Sequence, residues 1–193
     1  IAISPKALTI ANLQNRTFQL MARFQHESNA LEELVASNME PTPSALDDLG
    51  VLLGEGFAQL TSLNLAGNAL RGGDGATEFW GKLLARTKCL TALDLSRNNL
   101  DDAQSLADAM GKNTSVTALN LSGNSITDIA ALAQMLILNR SLVSLNLSSN
   151  RIKEVAVLAD AVSQNQSLMT LILEDNPRFS DRDKVALEKA WQQ

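Results

Sequence analysis

The chain has 193 residues, 45% of them apolar and 19% charged, with a formal net charge of −5. A soluble chain of this size buries roughly 70% of the surface it exposes when unfolded. That excludes a disordered tail, a collagen and a disulfide miniprotein, and the negative balance argues against a nucleic-acid phosphate track. There are 33 leucines against five phenylalanines and no tyrosine, a composition that points to a regular, repeated packing unit.

In chain order, Ser4-Pro5 is a helix start, and Ile10, Leu13, Leu20, Met21 and Phe24 recur near helical spacing. This predicts a helix over residues 5–24, which either caps a core or docks a partner. Leu31, Leu34 and Asn38 read as a decayed copy of the motif that follows, one residue short before its Asn. Pro41 and Pro43 break the chain, and Ser44 then caps a helix through Leu53. The first residue is not Met, so the chain is expected to be processed or a piece of something larger.

Five segments then align as L-x-x-L-x-L-x-x-N, starting at Leu60, Leu90, Val116, Leu142 and Leu168, at intervals of 30, 26, 26 and 26 residues. The middle of each alternates apolar and polar, as a strand with one buried face must. Five main parallel strands are expected, centred on residues 63–65, 93–95, 119–121, 145–147 and 171–173, with an irregular sixth near Leu34. Asn68, Asn98, Asn124, Asn150 and Asn176 fall where the chain leaves the strand, and stacked coils would place their amides in a ladder.

Between strands the period becomes helical. Residues 101–113, 128–139 and 154–165 carry apolar columns at Ala103/Ile129/Val155, Leu106/Leu132/Leu158 and Met110/Leu136/Val162. Ala107, Ala133 and Ala159 form a small column, which Gly81 joins, with Trp80 in the Leu106 column. Asp102, Asp128 and Glu154 open these helices at the positive end, and Asn113, Asn139 and Asn165 close them. Ser180, Asp181 and Asp183 open a last helix carrying Val185, Leu187 and Trp191.

Catalytic and metal chemistry is not visible. Cys89 has no disulfide partner, and with His26 the single histidine there is no zinc set. A reducing compartment, or a domain indifferent to redox, is implied. No run reaches the roughly 18–20 apolar residues of a membrane span, and residues 1–4 are too short for a signal peptide. Gly72, Gly73, Asp74 and Gly75 lack a following Lys-Ser/Thr and read as a loop insertion in the longer first interval. Asp181 and Asp183 suit a helix start better than a metal. The sequons at Asn15, Asn113, Asn120, Asn139, Asn146 and Asn165 come mostly from the repeat and read as accidental. No cofactor, metal or enzyme activity is expected.

Five such copies, each followed by a full helix, resemble the ribonuclease-inhibitor-like leucine-rich repeats, which also occur in Nod-like receptors, Ran GTPase-activating proteins, tropomodulins and some bacterial effectors. The resemblance covers residues 44–193. It implies an α/β leucine-rich repeat solenoid, a right-handed α/β horseshoe arc with a parallel sheet on the concave face, helices on the convex face and a helical N-terminal cap. Residues 1–43 would be that cap with a degenerate repeat, and residues 44–193 the repeat domain with a C-terminal capping helix. The implied function is a non-enzymatic protein–protein interaction module, the recognition part of a larger cytosolic protein such as a bacterial effector or a Nod-like sensor. The alternative is a regulator of a GTPase or of actin filaments acting through the solenoid edge or end cap. The expected partner is a protein, not nucleic acid or membrane, and the expected state is a monomer in the cytoplasm (the host cytosol for a secreted effector).

The third and fifth motif positions point out of the concave sheet. They give Ser62, Ala92, Ala118, Ser144 and Thr170, then Asn64, Asp94, Asn120, Asn146 and Ile172, with Arg71, Arg97, Arg151, Glu174 and Asp175 in the turns beyond. The candidate protein-binding residues are Asn64, Asp94, Arg97, Asn120, Asn146, Arg151, Glu174 and Asp175. Interface hot spots favour Trp, Tyr and Arg, and only arginines qualify here. The face is therefore either a polar, salt-sensitive binding surface or a solvated one, with the functional surface elsewhere.

Overall fold

A strand that recurs every 26 residues with a helix between is always re-entered from the same end, so neighbouring strands must lie parallel. The computed structural model describes residues 7–11, 31–38, 59–70, 74–177 and 179–192. These contain one sheet in chain order, β1 (Ala7–Ala11), β2 (Glu33–Ser37), β3 (Ser62–Asn64), β4 (Ala92–Asp94), β5 (Ala118–Asn120), β6 (Ser144–Asn146) and β7 (Thr170–Ile172). Every adjacent pair is parallel. Helices α1 (Asp74–Arg86), α2 (Gln104–Lys112), α3 (Ala130–Leu138), α4 (Ala156–Gln164) and α5 (Asp181–Trp191) follow β3 to β7 and pack in sequence, each on the next. This is the expected α/β solenoid, with the five main strands beginning one residue before the expected centres.

The amino-terminal expectation is corrected. Residues 7–11 are a strand, not part of a helix over 5–24. Leu8 and Ile10 alternate around Thr9 and pair in register with Leu34 and Ala36, and an open sheet edge is satisfied by a strand's main chain, which a helix cannot supply. The rest of that expected helix, the helical cap with it, and the helix expected over 44–53 lie outside the described residues. β2 is the strand expected near Leu34. Its Asn38 is not a displaced ladder residue. With φ 55° it holds the left-handed turn position taken later by Gly67, Arg97, Gly123, Ser149 and Asp175.

The apolar positions of each inner coil close on one core. Leu90, Leu93, Leu95 and Leu100 are buried, as are their equivalents in the neighbouring coils. On the helices Leu106, Leu132 and Leu158 align with Trp80, which is 2% exposed and meets Phe79 edge-to-face at 4.6 Å. Of the loop expected at Gly72–Gly75, the second half is helix. Asp74 and Gly75 begin α1, which has 13 residues where α2 has nine. A helix absorbs four residues as about one added turn, which keeps the Trp80 column in register. Gly72 and Gly73 lie outside the described residues. Gly81 does not fill the small column as Ala107 does. It is exposed, and a groove of about 490 Å³ stays open between α1 and α2.

Two rows of asparagines tie the coils together. In the first, the Asn98 carboxamide donates through Nδ2 to the Leu65 carbonyl of the preceding coil (2.9 Å) and accepts at Oδ1 from the Asn68 N–H (2.7 Å). Asn124 repeats this with the Leu95 carbonyl and the N–H groups of Asn98 and Leu100, Asn150 with Leu121 and Ile126, and Asn176 with Leu147 and Ile152. In the second, Asn139 Nδ2 donates to the Met110 and Asn113 carbonyls while its Oδ1 accepts from Ser141 and Leu142. Asn165 does the same one coil on. Among the described residues no buried side-chain nitrogen or oxygen lacks a partner.

Helix ends differ in detail from expectation. Asp102 and Asp128 precede the N-cap rather than opening the helix, and their Oδ1 atoms accept from Gln104 N–H (2.7 Å) and Ala130 N–H (2.8 Å). Asn113, Asn139 and Asn165 end α2 to α4 in an extended backbone, not a left-handed one, because their side chains supply the stop. The last helix has the Ser180 cap, whose Oγ accepts from Asp183 N–H.

The turn after each strand from β2 on puts the equivalent of Gly123 in the left-handed region, joined by Ala69 and Asn99 in two of the coils, and the N–H at the shared position reaches the next coil, as Arg97 N–H does to the Ser122 carbonyl (2.9 Å) and Gly123 N–H to Ser148 (3.0 Å). Gly123 has φ 67° and Ser149 φ 53°. We expect Gly123→Ala to cost about 1–2 kcal/mol in urea denaturation, and Ser149→Gly to be neutral or stabilising by up to about 1 kcal/mol. Leu132→Ala, with 0% exposure, is expected to cost about 2–5 kcal/mol, whereas Leu138→Ala, 60% exposed, should change stability by less than about 0.5 kcal/mol.

Candidate functional site

Parallel register fixes the geometry of the strand face. The α-carbons of Asn64, Asp94, Asn120, Asn146 and Ile172 are direct partners along β3 to β7, about 4.8 Å apart from strand to strand. Ser62, Ala92, Ala118, Ser144 and Thr170 form the parallel row beside them. All of these but Thr170 line an open groove of about 350 Å³, with Glu33 at its β2 end.

The four polar members of the first row are half-buried rather than fully exposed, because each bonds its own turn. Asn64 Oδ1 accepts from Ala66 N–H (2.9 Å), Asp94 Oδ1 from Ser96 (2.9 Å), Asn120 Oδ1 from Ser122 (3.0 Å) and Asn146 Oδ1 from Ser148 (2.9 Å). These are Asx turns, in which a side-chain oxygen closes onto the main chain two residues later. They leave the Nδ2 groups of Asn64, Asn120 and Asn146 as the amide donors of the row, with the second oxygen of Asp94 as its carboxylate acceptor. The row can thus donate hydrogen bonds at regular spacing and hold one cation.

The other candidates are exposed in the turns but do not share one place. Arg97 and Asp175 hold the left-handed position of their coils, with φ 56° each. Arg151 lies two residues further along its coil, and Glu174 one residue earlier. One coil lies between those of Arg97 and Arg151. Asp175 Oδ2 accepts from Ser149 Oγ at 3.5 Å. Cys89 is exposed in the coil position that Ser115, Ser141 and Ser167 hold. His26 and Arg71 lie outside the described residues. Among those described, no three His, Cys, Asp or Glu side chains cluster to hold a metal, and no helix is long and apolar enough to cross a membrane.

The second asparagine row was expected only as helix stops; its bonds between coils were not read from the sequence, although a signal was present. Five of the six sequons recur because Asn Oδ1 accepts the N–H two residues on, at Ser115, Ser122, Ser141, Ser148 and Ser167. The pattern is the turn chemistry of the repeat. Two asparagines four residues apart therefore have different weights. Asn124→Ala strands buried partners in two coils and should cost at least about 3 kcal/mol, while Asn120→Ala removes one local turn bond and should cost about 1 kcal/mol. Chemical denaturation of the pair checks this.

The leucine-rich repeat family profile matches residues 88–103, 112–133 and 138–158. Among curated proteins no sequence matches the chain. Among solved structures, the actin-binding site 2 of leiomodin-1 is similar at 19% identity and a TM-score of 0.64, covering 78% of this chain and 90% of that one. The tropomodulin C-terminal domain of Caenorhabditis elegans matches at 18% identity and 0.59, covering 76% and 91%. An internalin of Listeria monocytogenes matches at 20% identity and 0.57, covering 95% of this chain but 45% of the internalin. The leucine-rich repeat motif is thus matched on three successive coils, and the strand–helix geometry of each coil and the likeness to these structures show the leucine-rich repeat fold.

Proposed function

We propose that the chain is a non-enzymatic protein-recognition module whose strand face takes a partner segment lying across the strands. The observation that carries this reading is the arrangement of the Asn64–Asp94–Asn120–Asn146 row, where the turns consume one side-chain oxygen of each residue. What remains is a line of amide donors interrupted by one carboxylate. A partner offering carbonyl acceptors at strand spacing, with a cation over Asp94, is complementary to it. Such contacts are polar, give modest affinity, and weaken with salt. The setting we favour is the recognition part of a larger cytosolic protein, such as a bacterial effector or a Nod-like sensor, acting as a monomer.

A second reading is a regulator of actin filaments. It is supported by a likeness to leiomodin-1 actin-binding site 2 that extends over 90% of that domain, and by the tropomodulin match. Co-sedimentation with filamentous actin separates the two: pelleting of the chain favours the second, and its absence the first.

The strand-face reading is tested by binding after substitution on each side of the solenoid. Asn120→Arg should abolish capture of the partner while Leu138→Arg, on the helical side, leaves it unchanged. Asp94→Ala should weaken binding and flatten its salt dependence. Loss with Leu138→Arg and retention with Asn120→Arg would contradict the reading.

A further inference from the structure

The last coil repeats the leucines of the inner coils without their burial. Leu168, Leu171 and Leu173 are half-buried, whereas Leu142, Leu145 and Leu147 have 0% exposure. Helix α5 packs beside α4 as the helix of this same coil, and so leaves the coil's far side uncovered. There Leu171, Leu173, Leu187 and Trp191 line a cleft of about 400 Å³, walled by Glu188 and Gln192. Met169 is 75% exposed at the start of the strand, and Trp191 44%.

The main chain is open along the same side. One coil earlier, Leu147 N–H donates to the Ile172 carbonyl and Ser149 N–H to that of Glu174, both at 2.8 Å. The equivalent groups of the last coil are the N–H of Leu173 and of Asp175, and β7 ends the sheet. Likewise the Val143 carbonyl accepts from Met169 and Thr170, and the Met169 carbonyl is its counterpart at the edge. An open strand edge beside an apolar cleft combines main-chain affinity with a pocket for alternate side chains.

We infer that the β7 edge binds an extended, basic segment of a partner protein as an added strand, its alternate apolar side chains entering the Leu171–Leu173–Leu187–Trp191 cleft. Charge selects this occupant. Glu188 lines the cleft, Lys189 does not, and Glu174 and Asp175 are exposed at the end of the strand. A second copy would bring the same carboxylates, on a chain of net charge −5, to the interface. A segment with apolar residues in alternation and Lys or Arg at its ends meets both the cleft and the rim. This surface is separate from the strand face proposed above.

The probe is a short synthetic peptide alternating leucine and threonine, with lysine at both ends. Trp191 is exposed and Trp80 buried, so a shift of tryptophan emission reports the cleft, while amide hydrogen exchange reports the edge. At ten times its Kd the peptide should slow exchange at Leu173 and Asp175 about tenfold and move the emission to shorter wavelength. The same peptide N-methylated on its pairing amides should do neither. Glu188→Lys, a change at an exposed residue that leaves the core intact, should weaken binding about two- to fivefold. The inference is overturned if exchange at these amides is unchanged, or if the N-methylated peptide binds equally well. It is also overturned if the chain alone protects the same amides in step with a concentration-dependent rise in sedimentation, which would make a second copy the occupant.

Discussion

The structure depends on one repeated interaction, the bond from a buried asparagine amide of one coil to the main chain of the coil before it. A solenoid coil must turn sharply after its strand, and the turn leaves carbonyl and N–H groups inside the protein with no helix or sheet to pair them. Each such group left unmatched costs about 1–3 kcal/mol. Asn98 and Asn124 meet that cost from the neighbouring coil, reaching back to the Leu65 and Leu95 carbonyls and accepting the N–H groups of Asn68 and Asn98. No coil completes its own turn. The leucines supply most of the burial, but the asparagines specify that coils stack in register.

The same economy explains why the recurring polar residues are poor guides to function. Asn124 faces the turn interior and Asn120 the strand face, yet both oxygens bond main-chain N–H groups. The serines of the N-x-S pattern serve Asx turns, and Ser141 Oγ also reaches the Asn113 carbonyl. What is left for recognition is whatever the turns do not consume: the outward amide nitrogens, the Asp94 carboxylate, and the uncovered flank of the last coil. The strand face is regular because the repeat is regular. The β7 flank differs because β7 is the last strand of the sheet among the described residues, with no further strand beside it.

Much of this was legible in the residues. Five leucine-rich segments at nearly constant spacing fix the strands, their parallel order and the buried columns, and even Trp80 falls where the alignment puts it. Three features were not legible, each for a physical reason. Residues 7–11 contain both a two-residue alternation and part of a helical spacing, and only the open edge of β2 decides between them. The four-residue excess before Trp80 reads as a glycine-rich loop, but Asp74 and Gly75 join a helix that gains one turn and keeps its register. The row at Asn64, Asp94, Asn120 and Asn146 was legible as a row, but its half-burial was not, because the Asx turns draw the side chains down onto the sheet rim.

The central claim, that the asparagine amides hold the turns as firmly as the strands are held, is tested most directly by native-state hydrogen exchange. The Asn98 and Leu100 amides, which donate to Asn124 Oδ1 at 2.9 and 3.0 Å, should be protected to the same extent as the Leu95 amide, which donates to the Asn120 carbonyl at 2.9 Å. They would then exchange only through opening of the whole solenoid. Exchange of Asn98 and Leu100 at the rate of an ordinary surface turn, with Leu95 still protected, would contradict the account.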